Sequence, residues 1–153
     1  MKNVYGEAKG AGKKISVVVS KFNEFITKRL LERCLEELKK RGVKDKDMDV
    51  YWVPGSFEIP LMASRLAKKK NVDAVIALGA VIRGETFHFE LVAHNAASGI
   101  LWSSLSSEKP VIFGVITTDT VDQAYKRSEK KGSNKGSDAA LAALEMIDVL
   151  SKV

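Results

Sequence analysis

The sequence predicts an α/β fold in which one open parallel sheet of four strands lies between two layers of helices. Three observations carry this. Four short apolar runs, ISVVV at 15–19, VYWV at 50–53, DAVIALGAVI at 73–82 and VIFGVIT at 111–117, do not alternate apolar with polar residues. Strands of that kind are buried on both faces, as in a parallel sheet. Helical patterns separate the runs, and parallel neighbours require such right-handed crossovers. Strand and helix alternate four times, which is the doubly wound, three-layer α/β/α and flavodoxin-like arrangement.

Taken in order, the first helix is marked by Ile26, Leu30, Leu31, Cys34, Leu35 and Leu38 on one face. Asn23 is placed to cap it and Gly42 to end it. Ser56 is placed to cap a second helix carrying Ile59, Met62, Ala63, Leu66 and Ala67, with Pro60 tolerated in the first turn. Thr86 is the expected cap of a third, running through Leu91, Ala97 and Leu101 toward Leu105. Thr120 and Gln123 form a capping box for a fourth, and Ala139 to Leu150 make the last. Residues 1–12 carry no long pattern beyond a short edge strand at Asn3 to Tyr5, in this sheet or a neighbour's; residues 13–153 read as a single domain.

The chain has 153 residues, 45% of them hydrophobic and 29% charged, which suits one soluble domain with its own core. The N-terminal stretch has no continuous apolar segment of the secretory type, so a reducing cytoplasm is expected. The lone Cys34 lies on the apolar face of its helix and reads as core rather than nucleophile. The net charge of +6 permits a polyanion partner. However, Lys39–Arg41 and Lys68–Lys70 fall at helix ends, where cations complement the helix dipole. The cluster from Lys126 to Lys135 surrounds a glycine-containing loop, which favours a small anion such as phosphate over nucleic acid.

In a doubly wound sheet the ligand crevice lies beyond the carboxyl ends of the strands, facing helix N-termini. The residues to watch are Phe22 and Asn23 after the first strand, Ser56, Phe57 and Glu58 after the second, Arg83 to His88 after the third, and Thr117 to Asp119 after the fourth. Two nucleotide signatures are absent: KGAGKK at 9–14 precedes its strand with the wrong spacing, and no G-x-G-x-x-G opens a helix. His88 and His94 are six residues apart, about 240° around a helix, so they do not form a metal-binding pair. No metal or redox cofactor is expected.

His88 near a helix start is placed to act as a base or shuttle, or equally as a surface cap; His94 reads as structural. Gly84-Glu85-Thr86 reads either as an anion nest or as an ordinary turn with a cap. Phe22 and Phe113 are suited to sandwich a planar ligand, although Phe113, inside an apolar strand, reads first as core. Glu58 is suited to bind hydroxyls or to balance a helix dipole. Arg83, the conspicuous charge of the third segment, has no role from pattern alone.

Five segments, SKFNEFIT, VPGSFEIP, GAVIRGETFHFELV, KPVIFGVIT and GSNKGSDAA, occur in register over residues 13–150 and together resemble the lumazine synthase family. That resemblance implies condensation of 5-amino-6-ribitylaminouracil with 3,4-dihydroxy-2-butanone 4-phosphate, without metal or redox cofactor. It implies that Phe22 stacks on the pyrimidine. Asn23, Ser56, Phe57 and Glu58 receive the ribityl chain, and the backbone of Ala80, Val81 and Ile82 reads the ring edge. Glu85, Thr86 and Arg127 hold the phosphate, and His88 shuttles protons. Phe113, Arg127 and Lys135 come from a neighbouring subunit of a homopentamer, whose loop length is compatible with shells of twelve pentamers. Asp138 stands where the family usually has glutamate, which shortens its reach toward Arg127 or Lys135. The archaeal type of riboflavin synthase and a non-catalytic flavin-binding or shell-forming homologue are the alternatives; the set of Phe22, Glu58, His88 and Arg127 favours the synthase.

Overall fold

A computed structural model describes all residues, 1–153. Its four strands, β1 (Ile15–Ser20), β2 (Met48–Val53), β3 (Ala74–Ile82) and β4 (Val111–Thr118), form one parallel sheet in the order β2-β1-β3-β4. The helices are α1 (Glu24–Lys40), α2 (Ile59–Ala67), α3 (His88–Ser107), α4 (Val121–Arg127) and α5 (Lys135–Leu150). Helices α1, α4 and α5 bury Leu30, Cys34, Ala124 and Leu144 against Val17 and Val19. On the opposite face α2 and α3 bury Ile59, Ala63 and Ile100 against Val18 and Val75. This is the expected flavodoxin-like three-layer fold. No helix is long and apolar enough to cross a membrane.

The two central strands are apolar throughout because both faces are covered: β1 is buried at every position, and β3 at all but its last. The edges differ from the expectation of uniform burial. Val50 and Trp52 of β2 and Phe113 of β4 are exposed, since an outer strand has a neighbour on one side only and its helix cover is incomplete. Phe113 is therefore a surface ring at 47% exposure, where its apolar strand suggests a core residue. Residues 3–5 join no strand of this sheet. The segment instead lies along α5, where the Glu7 amide donates to Asp148 Oδ2 at 2.7 Å and Lys152 Nζ donates to the Tyr5 carbonyl at 2.8 Å.

Helix ends show which local signals prevail. The α4 capping box of Thr120 and Gln123 forms as expected. Helix α1 closes in a Schellman motif: Gly42 has φ +102°, its amide donates to the Lys39 carbonyl at 3.0 Å, and the Val43 amide donates to Leu38 at 3.0 Å. The other caps differ. Asn23 occupies the position before α1, but in the left-handed conformation (φ 59°), and its side chain makes no capping bond. Ser56 opens a 3₁₀ turn, Ser56–Glu58, so α2 starts at Ile59 with Pro60 still in its first turn. Helix α3 starts at His88 with Phe87 before it, one position beyond a Thr86 cap. Helix α5 starts at Lys135, four residues earlier than its apolar pattern, because Asn134 Oδ1 accepts from the amides of Gly136 (2.7 Å) and Ser137 (3.3 Å).

Candidate active site

The sheet order reverses between β1 and β3, and a crevice of about 740 Å³ opens at their carboxyl ends, a volume within the usual range for small-molecule sites. Phe22 follows β1 and forms one side of it, 71% exposed. The 3₁₀ turn after β2 contributes Ser56, Phe57 and Glu58. The end of β3 supplies Ala80, Val81 and Ile82, and the α3 start supplies Gly84, Thr86 and His88. Phe89, Leu91 and Val92 of α3 also line it, and sequence patterning had not singled them out as site residues.

Ser56 is seated by a close approach to β3. A side chain at Gly79 would put its Cβ 2.6 Å from Ser56 Oγ and 3.3 Å from Ser20 Oγ, so only glycine lets both hydroxyls converge there. Ser20 Oγ is buried and makes no hydrogen bond within the chain. Asn23 and Glu85 are not among the lining residues. Asn23 Nδ2 instead donates to the Ala80 carbonyl at 2.8 Å, tying the start of α1 to the end of β3 and leaving its second N–H and its Oδ1 free. That carbonyl is one of the β3 groups expected to read a ligand, so the bond also fixes it.

The turn between β3 and α3 has free donors. The amides of Gly84, Glu85, Thr86 and Phe87 make no hydrogen bond within the chain, and Thr86 Oγ1 only receives a long 3.4 Å bond from the His88 amide. Four amides and a hydroxyl are thus available at a helix N-terminus, where the dipole favours an anion. His88 is exposed at the crevice edge, within the first turn of α3.

Phe113, Arg127 and Lys135 lie elsewhere. They line a second hollow of about 400 Å³, between the exposed side of β4 and α5, which shares no lining residue with the first. Arg127 Nη1 donates to the Gln123 carbonyl of its own helix at 3.1 Å. Asp138 keeps a contact with Lys135, whose Nζ donates to Oδ2 at 3.3 Å, despite the shorter side chain. The loop between the two cations is held from α1: Arg29 Nε donates to the Ser128 carbonyl and Arg33 Nη1 to the Lys130 carbonyl, both at 2.8 Å.

Arg83 also acquires partners. Nε donates to Asp119 Oδ1 at 2.7 Å, Nη1 pairs with Glu90 Oε1, and the guanidinium stacks 4.4 Å from the Phe89 ring centroid. The bonds to Asp119 and Glu90 raise the pKa of Arg83, and the Arg83 bond holds the Glu90 carboxyl below its ordinary value. Burial pushes the Cys34 thiol up to about 12, consistent with an inert core residue.

Fold and crevice together define an α/β protein with an aromatic, hydroxyl-bearing crevice and a helix start with free amide donors beside it. The sequence model of 6,7-dimethyl-8-ribityllumazine synthase matches residues 12–151, and the chain belongs to that family. It is thus a transferase of riboflavin biosynthesis, of the lumazine synthase type.

Proposed function

We propose that the protein condenses 5-amino-6-(D-ribitylamino)uracil with 3,4-dihydroxy-2-butanone 4-phosphate to 6,7-dimethyl-8-ribityllumazine, releasing phosphate and water. Phe22 stacks on the pyrimidine, and the backbone of Ala80, Val81 and Ile82 pairs with its polar edge. Ser56, Phe57 and Glu58 take the ribityl hydroxyls, with Asn23 contributing through its free N–H and Oδ1 and through the carbonyl that it orients. The phosphate lies on the free amides of the 84–87 turn, Glu85 included, and on the Thr86 hydroxyl, with Arg127 as its bidentate cation. Bound side by side, the pyrimidine amine attacks the ketone, and proximity supplies much of the rate. His88 moves protons as the carbinolamine loses water and as phosphate is eliminated.

The observation that carries this reading is the division of the site into two hollows. The pyrimidine-type crevice contains Phe22 and His88, while Phe113, Arg127 and Lys135 sit on the outer face of edge strand β4. One chain does not close both around one substrate pair. A neighbouring copy that brings its β4–α5 face to the crevice does, which makes the homo-oligomer, with a pentamer as its unit, a part of the active site. The exposed apolar residues favour such contacts: Leu101, Trp102 and Leu105 of α3 are 58%, 60% and 69% exposed, beyond what an isolated surface normally leaves uncovered in one patch. The helix does not bury Leu101 or Leu105 in the single chain, because Gly99 and Ser103 are the residues that face α2 at Pro60.

The test is to mix the two substrates with the purified protein and follow both the lumazine chromophore and released phosphate. Stoichiometric appearance of both supports the assignment. Consumption of added lumazine without phosphate release would turn it toward the riboflavin synthase type. Sedimentation of the same sample should show an assembly; full activity in a 16.8 kDa monomer refutes the shared site.

A further inference from the structure

We propose that Arg83 is a positioning residue that holds the Gly84–Phe87 turn in its anion-accepting shape and neutralises the two carboxylates flanking it. The proposal deepens the phosphate assignment above and rests on it. Arg83 anchors the turn at both ends. Its own amide donates to the Thr118 carbonyl at 2.8 Å, extending the β3–β4 pairing to the residue just before the turn. Its side chain then reaches forward to Glu90 and Phe89 in the first turn of α3, and across to Asp119 at the end of β4.

The turn itself has almost nothing else to define it. Gly84 has no atom within 4 Å of the position a Cβ would take, residues 84–87 are all exposed, and their amides are unpaired within the chain. A four-residue segment without internal bonds takes its shape from its ends, and preorganised donors bind more tightly than donors that must first be ordered. Charge adds a second reason. Glu90 lies two residues beyond His88 and would, if unpaired, oppose a phosphate at the same helix start or fold back onto the free amides as a capping glutamate. Asp119 is the other carboxylate next to the corner. Arg83 engages both at once, with its planar fork stacked on Phe89 to fix its orientation. His94 and the Glu85 carboxylate complete the charged surroundings of Glu90 and the turn; Glu85 forms no ion pair in the chain.

The experiment compares Arg83→Gln, Arg83→Lys and the double variant Arg83→Gln with Glu90→Gln, using the assembled protein. Steady-state constants are measured for each substrate, and direct binding of inorganic phosphate is measured by calorimetry. Arg83→Gln should raise the KM for the butanone phosphate, and the Kd for inorganic phosphate, about fivefold, the scale of one partly exposed charge interaction. The KM for the pyrimidine should stay within about twofold, because Arg83 does not itself line the crevice and meets it only through the Phe89 ring. Arg83→Lys should recover part of the loss, keeping the charge without the fork. Glu90→Gln in the Arg83→Gln background should recover part as well, by removing one stranded carboxylate. Equal shifts for both substrates, or no shift in phosphate affinity, overturn the proposal. If the parent protein forms no lumazine, the functional reading falls, and the phosphate titrations alone still decide the role of Arg83.

Discussion

Gly136 makes a sharp test of how α1 and α5 are packed. It is the second residue of α5, and a Cβ built on it would fall 1.9 Å from the Leu30 carbonyl oxygen and 2.7 Å from its carbon. Both are main-chain atoms inside α1, so no rotamer change relieves the clash; one helix must move by more than about 1 Å to restore ordinary contact distance. The movement would open the core that Leu30, Cys34, Ala140 and Leu144 share. Overpacking of this kind costs about 1–3 kcal/mol, with the upper end expected where backbone meets backbone. For a domain of this size each 1 kcal/mol shifts Tm by about 2–4 °C, so Gly136→Ala should lower Tm by roughly 5–10 °C. Thermal unfolding at fixed protein concentration, followed by circular dichroism, measures it. Gly84→Ala is the control: nothing lies within 4 Å of that position and its φ is not left-handed, so its Tm should match the parent's. A Gly136→Ala variant within about 2 °C of the parent would refute the packing argument.

Three further outcomes are expected. Arg127→Ala should raise the KM for the butanone phosphate by about tenfold or more, the scale of a lost bond to a charged group, and leave that for the pyrimidine little changed; parallel increases in steady-state kinetics would remove Arg127 from the phosphate site. His88→Gln should slow turnover by about tenfold rather than thousands, since proximity acts without it; an unchanged kcat would reduce His88 to a helix-start residue. Cys34 titrates from an ordinary value of 9.0 up to about 12 when folded, so the folded state holds its proton more tightly. Stability from this group is complete below pH 9 and declines by about 1.4 kcal/mol per pH unit as pH rises toward 12. Urea unfolding between pH 9 and 11 should therefore fall more steeply for the parent than for Cys34→Ala, and equal slopes would refute the assignment.

Much of the architecture is written in local chemistry. The apolar runs locate all four strands, although only β1 and β3 are covered on both faces, and the capping box of Thr120 and Gln123 needs only neighbours in the chain. The crevice follows from the same order, since residues after parallel strands gather at one end of the sheet; Phe22, Ser56 to Glu58, Ala80 to Ile82, Thr86 and His88 do line one hollow. Signals that depend on a distant partner are hidden. Asn23 has the composition of a cap, yet its amide bonds to the Ala80 carbonyl because β3 happens to end within reach. The start of α5 was masked by the polar run KGSD, whose cap, Asn134, is set by a buried turn.

By itself, then, the sequence determines the α/β layering, the two central strands, the end of the sheet where the crevice opens and the family-type motifs there, because each depends on periodicity or on short-range hydrogen bonds. Tertiary structure alone decides that Phe113 lies on an exposed edge, that Phe22 and Arg127 occupy separate hollows, and that Arg83 bridges Glu90 and Asp119. Strand order and cross-chain reach set those distances, and neither has a local signature. Arg83 is legible as a charge and no more until β4 brings Asp119 beside it.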